Sequence, residues 1–89
     1  ISVASNIAPA QCVKLAHAMM EGKVEKAAMY HEKLMPLFRN CFVESNPIPT
    51  KAALNAMGMM ANELRLPLVA SQQKTYDLMV ETIKDLKLL

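Results

Sequence analysis

The chain has 89 residues, 53% of them hydrophobic, and a formal net charge of +2. That length is enough for one small domain, and its apolar content exceeds what one small core easily hides, which favours a homo-oligomer or another partner. The ten Lys and Arg residues are scattered and form no basic stripe, which excludes a typical nucleic-acid-binding protein.

The N-terminal residues predict an apolar stub followed by a helix. Residues 1–5 cannot make a sheet alone, so a strand here would need neighbours from outside this chain. Asn6 suits the N-cap and Pro9 the first turn of a helix. Apolar residues at helical spacing predict helix one over residues 8–21, and Gly22 ends it as a glycine cap.

A second, longer helix is predicted over residues 23–43. Its apolar positions recur at steps of three and four, namely Val24, Ala27, Ala28, His31, Leu34, Met35, Phe38, Cys41 and Phe42. Pro36 lies inside this helix and removes one backbone hydrogen bond, which predicts a kink or a break. Residues 44–49 predict a chain reversal, because a residue that precedes proline avoids the helical region.

Two further helices complete the predicted fold. Helix three spans residues 49–57 and is closed by Gly58, and residues 59–70 form an irregular connection. Helix four starts with Ser71 as N-cap and ends near Leu88. Its apolar stripe consists of Tyr76, Met79, Val80, Ile83 and Leu86. The prediction is an all-α, bundle-like unit of about four helices, antiparallel because the connections are short.

The sequence offers no convincing metal or cofactor site. His17 and Glu21 share one helix face, but zinc requires three or four ligands, and helical zinc motifs pair histidine with histidine. A phosphate-binding loop requires a run of glycines, and the chain has two glycines in all. We therefore expect no metal and no cofactor.

Candidate nucleophiles are equally weak. Cys12 and Cys41 both fall within helical apolar patterns, which predicts reduced, buried thiols. Lys51 is the one candidate for a Schiff base, which would require a desolvated pocket. It stands at the start of a short helix, so a solvated surface position is the better interpretation.

The cellular location is predicted to be the cytoplasm. No signal peptide is visible, no apolar run approaches 18 residues, and the cysteine count does not suggest a disulfide scaffold. The charged face of helix two mixes both signs, which is typical of a solvated face and not of a membrane-binding one. No membrane partner is expected.

Three stretches together resemble a known family. They are ISVASNIAP at residues 1–9, LMPL at residues 34–37 leading into FVESNPIPTK at residues 42–51, and LRLPL at residues 64–68. Their order and spacing resemble the C-terminal end of the dihydrodipicolinate synthase / N-acetylneuraminate lyase family. The resemblance covers essentially the whole chain, and the middle string is the most specific part.

The resemblance implies a larger fold and a reaction. Members are (β/α)₈ barrels with a helical C-terminal extension, and they are class I aldolase-like lyases. The dihydrodipicolinate synthases condense pyruvate, held as a Schiff base on a lysine, with aspartate semialdehyde in lysine biosynthesis through diaminopimelate. By this resemblance, residues 1–22 are a remnant of the last barrel β/α unit and residues 23–89 are the C-terminal helical domain, within one helical unit over residues 1–89.

The resemblance places almost none of the active site in this chain. The family's Schiff-base lysine, catalytic tyrosine, threonine pair and lysine-feedback site lie upstream of the point that matches Ile1. Only the backbone carbonyl of Ile1 is expected to contact substrate, and only in a complete barrel. The isolated chain is therefore expected to be inactive. Two alternatives remain open: self-association through an exposed helix face that includes Val13, Ala16 and Met20, and docking onto a separate N-terminal barrel part.

Overall fold

A computed structural model describes residues 1–89 and is entirely helical. A short 3₁₀ turn is followed by four α-helices, and the elements are the turn Ala4–Asn6, α1 Pro9–Met20, α2 Val24–Asn40, α3 Ile48–Ala56 and α4 Gln73–Asp85. The predicted fold class, all-α with about four helices, is confirmed. None of these helices combines the length and the apolar character that crossing a lipid bilayer requires.

The N-terminal stub forms no strand in this chain. Residues Ala4–Asn6 form a 3₁₀ turn instead, and the Ala4 side chain is buried in the core, so a strand in this region could include only residues 1–3. The prediction of Asn6 as N-cap is wrong. Its side chain donates to the Val3 carbonyl at 3.1 Å, and the N-cap position of α1 belongs to Ala8. Pro9 occupies the first turn, as predicted.

Glycine ends two of the helices. Gly22 follows α1 with φ of 74°, and Gly58 follows α3 with φ of 76°, both in the left-handed region that favours glycine. After α1, the Lys23 amide donates to the Ala18 carbonyl at 2.8 Å, and the equivalent bond after α3 is 2.9 Å. These are Schellman caps, and both glycine predictions are confirmed.

The helix α2 is not broken at its proline. It runs from Val24 to Asn40 with Pro36 inside it, and it ends three residues before the predicted position. The proline removes one hydrogen bond, but Leu34 and Leu37 on either side are fully buried in the core. Packing of these two side chains offsets the lost bond and keeps the turn helical.

The core lies between α2, α3, α4 and the N-terminal turn. Nine buried residues form one cluster: Ala4, Ile7, Ala8, Leu34, Leu37, Cys41, Ala53, Met79 and Ile83. The α4 stripe is confirmed, since Met79 and Ile83 are fully buried and the other three members are half-buried. By contrast, α1 buries only Ala18.

The predicted apolar face of α2 was too wide. Ala27, Leu34 and Cys41 are buried, whereas the rest of that face is half-buried or exposed, namely Phe38 (half-buried) and Val24, Ala28, His31, Met35 and Phe42 (exposed). One neighbouring layer covers only a narrow stripe of a helix, so the flanking apolar positions stay open to solvent.

Candidate functional site

The string FVESNPIPTK, the most specific motif of the sequence, forms the turn between α2 and α3. The reversal predicted over residues 44–49 is present, and the Asn46–Pro47 peptide in it is cis. Ile48, Pro49 and Thr50 at the start of α3 are buried. The motif thus joins a largely exposed turn to a buried first turn of α3, beside the long connection before α4.

Three side chains of this region hold that connection in place. Each makes one hydrogen bond to the backbone of residues 59–72: Lys51 Nζ donates to the Glu63 carbonyl at 2.8 Å, Asn55 Nδ2 donates to the Met60 carbonyl at 2.9 Å, and Glu44 Oε2 accepts from the Gln72 amide at 3.1 Å. The connection has no regular secondary structure, so these bonds fix its path.

The last of these bonds explains a wrong cap prediction. Ser71 is not the N-cap of α4, because the N-cap position belongs to Gln72 and carries no side-chain cap. The amide of Gln72 instead binds the Glu44 carboxylate. Ser71 Oγ is occluded and has no hydrogen-bond partner within the chain.

Two further contacts attach α4 to the other helices. The Tyr76 hydroxyl donates to Asn55 Oδ1 at 2.8 Å, and Asn40 Nδ2 donates to the Thr82 hydroxyl at 2.9 Å. Both hydrogen bonds are partly buried. If one of them is broken, the remaining polar group has neither its partner nor full access to water, which raises the cost. Sequence reasoning missed these roles, because Tyr76 reads only as a member of an apolar stripe.

Lys51 has a structural position. Its Nζ donates to the Glu63 carbonyl in an exposed hydrogen bond, which agrees with the predicted surface position, although the residue as a whole is half-buried. A Schiff-base lysine requires a neutral amine facing a substrate pocket. The geometry of Lys51 is that of a tether for the connection.

The two cysteines are unsuited to nucleophilic catalysis. Cys41 is fully buried in the core, Cys12 is half-buried beside it, and both thiols are free. Burial raises the pKa of the Cys41 thiol, although a hydrogen bond with Thr50 opposes the shift. Burial likewise raises the pKa of the Cys12 thiol, and a hydrogen bond with Ser2 opposes that shift. Both thiols therefore stay protonated near neutral pH.

The structure gathers no three His, Cys, Asp or Glu side chains that could hold a metal ion. His17 and His31 are both exposed. Glu21, which shares a helix face with His17, pairs instead with Lys23 at 2.9 Å. The hydrogen bond and charge of Lys23 lower the pKa of the Glu21 carboxyl.

The comparison with known proteins decides the family. The model of the Dihydrodipicolinate synthetase family matches residues 1–86. The chain belongs to this family. The 4-hydroxy-tetrahydrodipicolinate synthase of Thermotoga maritima is 52% identical over 89 residues, which are 100% of this chain and 30% of that protein. The enzyme of Methanocaldococcus jannaschii is 45% identical over 100% of this chain and 31% of its own length.

Solved structures of family members have the same fold in the matching region. The crystal structure of the dihydrodipicolinate synthase from Thermotoga maritima superposes with a TM-score of 0.98 at 52% identity, covering 100% of this chain and 30% of that one. The chloride-inhibited Acinetobacter baumannii enzyme, complexed with pyruvate, superposes with a TM-score of 0.95 at 31% identity. This match covers 100% of the present chain and 31% of that one. The chain spans about a third of the curated relatives' length and corresponds to the C-terminal segment of these dihydrodipicolinate synthases.

The residues predicted to work only beside a barrel are exposed. Ile1 is fully exposed and its backbone carbonyl accepts no hydrogen bond, so its role in substrate binding stays a prediction. Val13 is 50% exposed, Met20 is 82% exposed and Ala16 is also exposed. These three residues, here called the outer face of α1, touch no core in this chain.

Proposed function

We propose that this chain is the C-terminal part of a 4-hydroxy-tetrahydrodipicolinate synthase and that its own role is structural. The observation that carries the proposal is the family match over residues 1–86, together with 52% identity to the Thermotoga maritima enzyme. By family resemblance, the complete enzyme condenses pyruvate with aspartate semialdehyde through a lysine Schiff base, for lysine biosynthesis through diaminopimelate.

In this proposal, residues 1–3, which precede the 3₁₀ turn, provide the end of the last barrel strand, and α1 provides the last barrel helix. Helices α2 to α4 form the C-terminal domain, and the motif over residues 42–51 fixes its internal turn. The Ile1 carbonyl contacts substrate at the end of that strand. Active sites of this barrel are assembled from the ends of several strands, so one strand supplies one part of the site.

The isolated chain is proposed to be catalytically inactive. The one lysine weighed as a Schiff-base former, Lys51, is tied to a backbone carbonyl, and both thiols are held protonated by burial. No three His, Cys, Asp or Glu side chains gather in one place, which is where an acid and a base are most often found together. These observations support a role that depends on the rest of the enzyme.

The outer face of α1 is proposed to pack against the barrel. This 12-residue helix buries a single residue, Ala18, within the chain. Covering the exposed parts of Val13 and Met20 would contribute about 2 to 4 kcal/mol of docking free energy. A contribution of this size is enough to hold a helix in place within a larger fold.

A graft into a relative tests this proposal. The matching 89 residues of the Thermotoga maritima enzyme are replaced by this chain, and the condensation of pyruvate with aspartate semialdehyde is assayed. The grafted enzyme is expected to be active. Met20→Lys in the graft should reduce folded yield and activity, whereas Met29→Lys, at an exposed methionine of α2, should not. A folded but inactive graft, or equal effects of the two substitutions, would contradict the proposal.

Self-association of the chain by itself is the second candidate. Fourteen large hydrophobic side chains are exposed, including Met20 and Leu66 at over 80%. Such a surface favours association in the absence of a barrel. Light scattering at micromolar concentration should show a dimer or larger species that Met20→Lys dissociates. A monomer across that range would leave barrel docking as the single use of this face.

A further inference from the structure

Three lysines from three different helical segments meet at one cleft. It lies between α1, α2 and the C-terminal end of α4, and it encloses a cavity of about 190 Å³. Lys14 of α1, Lys33 of α2 and Lys87 after α4 line it, together with Asp85 and the polar side chains of Gln11 and Tyr30. We call this the lysine cleft.

The charges of the lysine cleft are not balanced within the chain. Three ammonium groups face one carboxylate, a net of two positive charges. Asp85 pairs with none of the lysines, since the one ion pair of the structure joins Lys23 to Glu21 at the other end of α1. Like charges gathered at one site repel each other, and a bound anion would relieve that repulsion.

The walls of the cleft provide neutral donors as well. Gln11 and Tyr30 are half-buried, and neither side chain makes a hydrogen bond within the chain. The Gln11 amide and the Tyr30 hydroxyl are therefore free to donate to a ligand oxygen. Leu34 and Leu86 complete the lining with apolar surface, while the three lysines themselves are exposed.

Lys87 reaches the cleft from an unusual backbone position. Its φ is 60°, the one left-handed value outside glycine in the chain. The Leu88 amide donates to the Ile83 carbonyl at 2.9 Å, the same cap that glycine makes after α1 and α3. Lysine in this backbone conformation is less stable than glycine would be, but its side chain places a positive charge at the cleft.

The lysine cleft is separate from the outer face of α1. Successive residues of a helix are about 100° apart, so Gln11 lies about 140° to 180° around α1 from Val13, Ala16 and Met20. Covering these three side chains would therefore leave Gln11 uncovered, and Lys14 lies about 100° from the nearest of them, Val13. The cleft does not depend on the function proposed above.

We propose that the lysine cleft binds a small dianion that carries a phosphate group. No arginine lines the cleft, so its cations offer no planar fork for bidentate binding of either carboxylate or phosphate. Lysines act as point charges and suit the tetrahedral phosphate, whose oxygens accept donors from several directions. The net of two positive charges matches a phosphate dianion, either free or as a small monoester.

Titration of the full chain followed by ¹H–¹⁵N spectra tests this site. Inorganic phosphate, glycerol 3-phosphate and succinate are added at constant ionic strength and at about pH 8, where phosphate is doubly charged. Inorganic phosphate is expected to shift the Gln11 side-chain amide and the Lys33 and Lys87 backbone amides, and succinate to shift them less. Stronger binding of glycerol 3-phosphate than of phosphate would identify a monoester as the ligand, and the reverse order free phosphate.

Substitutions of the lysines and of Asp85 should change the phosphate affinity of the cleft in opposite directions. Lys14→Gln and Lys33→Gln should each weaken phosphate binding about threefold to fivefold, and Asp85→Asn should strengthen it by a similar factor. Lys74→Gln, near the opposite end of α4, is the matched control and should leave binding unchanged. All four are exposed, so circular dichroism should show an unchanged fold. Absence of saturable shifts, equal weakening by Lys74→Gln, or weaker binding by Asp85→Asn would overturn the proposal.

Discussion

The Tyr76 hydroxyl offers the sharpest test of how the C-terminal helix is held. It donates to Asn55 Oδ1 at 2.8 Å, and Asn55 in turn donates to the Met60 carbonyl at 2.9 Å. Tyr76→Phe keeps the ring and removes the hydroxyl, which leaves the Asn55 oxygen partly buried without a donor. The expected cost is about 1 to 2 kcal/mol of unfolding free energy, or roughly 4–16 °C in Tm for a domain of this size.

Urea unfolding followed by circular dichroism measures this cost. The control is Tyr30→Phe, because the Tyr30 hydroxyl is half-buried yet makes no hydrogen bond within the chain. It should change the unfolding free energy by about 0.5 kcal/mol or less, in a buffer free of phosphate. Amide exchange in residues 59–72 should also become faster in Tyr76→Phe alone. Equal stability of the two variants would refute the hydrogen-bond account.

Three other changes test the core, the last cap and the thiols. Leu37→Ala, at a fully buried position, should cost about 2–5 kcal/mol in urea unfolding, whereas Met29→Ala on the surface should cost about 0.5 or less. Lys87→Gly should raise the unfolding free energy by about 0.5–1 kcal/mol, since glycine accepts φ of 60° without strain. Cys41 should resist a thiol reagent near neutral pH until urea unfolds the chain, because burial raises its pKa, and Cys12 should react slowly.

Each of these three predictions can be contradicted by a specific result. Similar losses in Leu37→Ala and Met29→Ala would mean that the core is not packed as described. A destabilised Lys87→Gly would show that the lysine side chain contributes more than its backbone strain removes. Rapid labelling of Cys41 in the folded chain would contradict its burial.

Since unfolding restores the ordinary thiol pKa of 9.0, the contribution of Cys41 to stability should be complete below that pH and be lost as pH rises above it.

Local sequence signals predicted the helices and their glycine caps. Gly22 and Gly58 were placed correctly because a left-handed cap depends on one residue and its immediate neighbours. Signals that compete with tertiary packing failed. Pro36 did not break α2, because buried leucines on both sides hold the helix. Ser71 did not cap α4, because a carboxylate 28 residues away binds the adjacent amide.

The candidate functional site, too, could be predicted only where local sequence determines it. The motif over residues 42–51 could be recognised from the sequence, but its physical role could not. That role depends on Glu44 and Lys51 of the motif, with Asn55 farther along α3, contacting a connection that becomes adjacent only after folding. The lysine cleft is also invisible in the sequence, because Lys14 and Lys87 are 73 positions apart and meet only through the packing of three helices.

Pyruvate trapping on the isolated chain tests the central claim most directly. The folded chain is incubated with pyruvate, reduced with borohydride and examined by mass spectrometry, beside the complete Thermotoga maritima enzyme. The account predicts an unchanged mass for the chain, because Lys51 is tied to the Glu63 carbonyl and no other lysine lies in a desolvated pocket. A reduced pyruvate adduct on any lysine of the folded chain would contradict it.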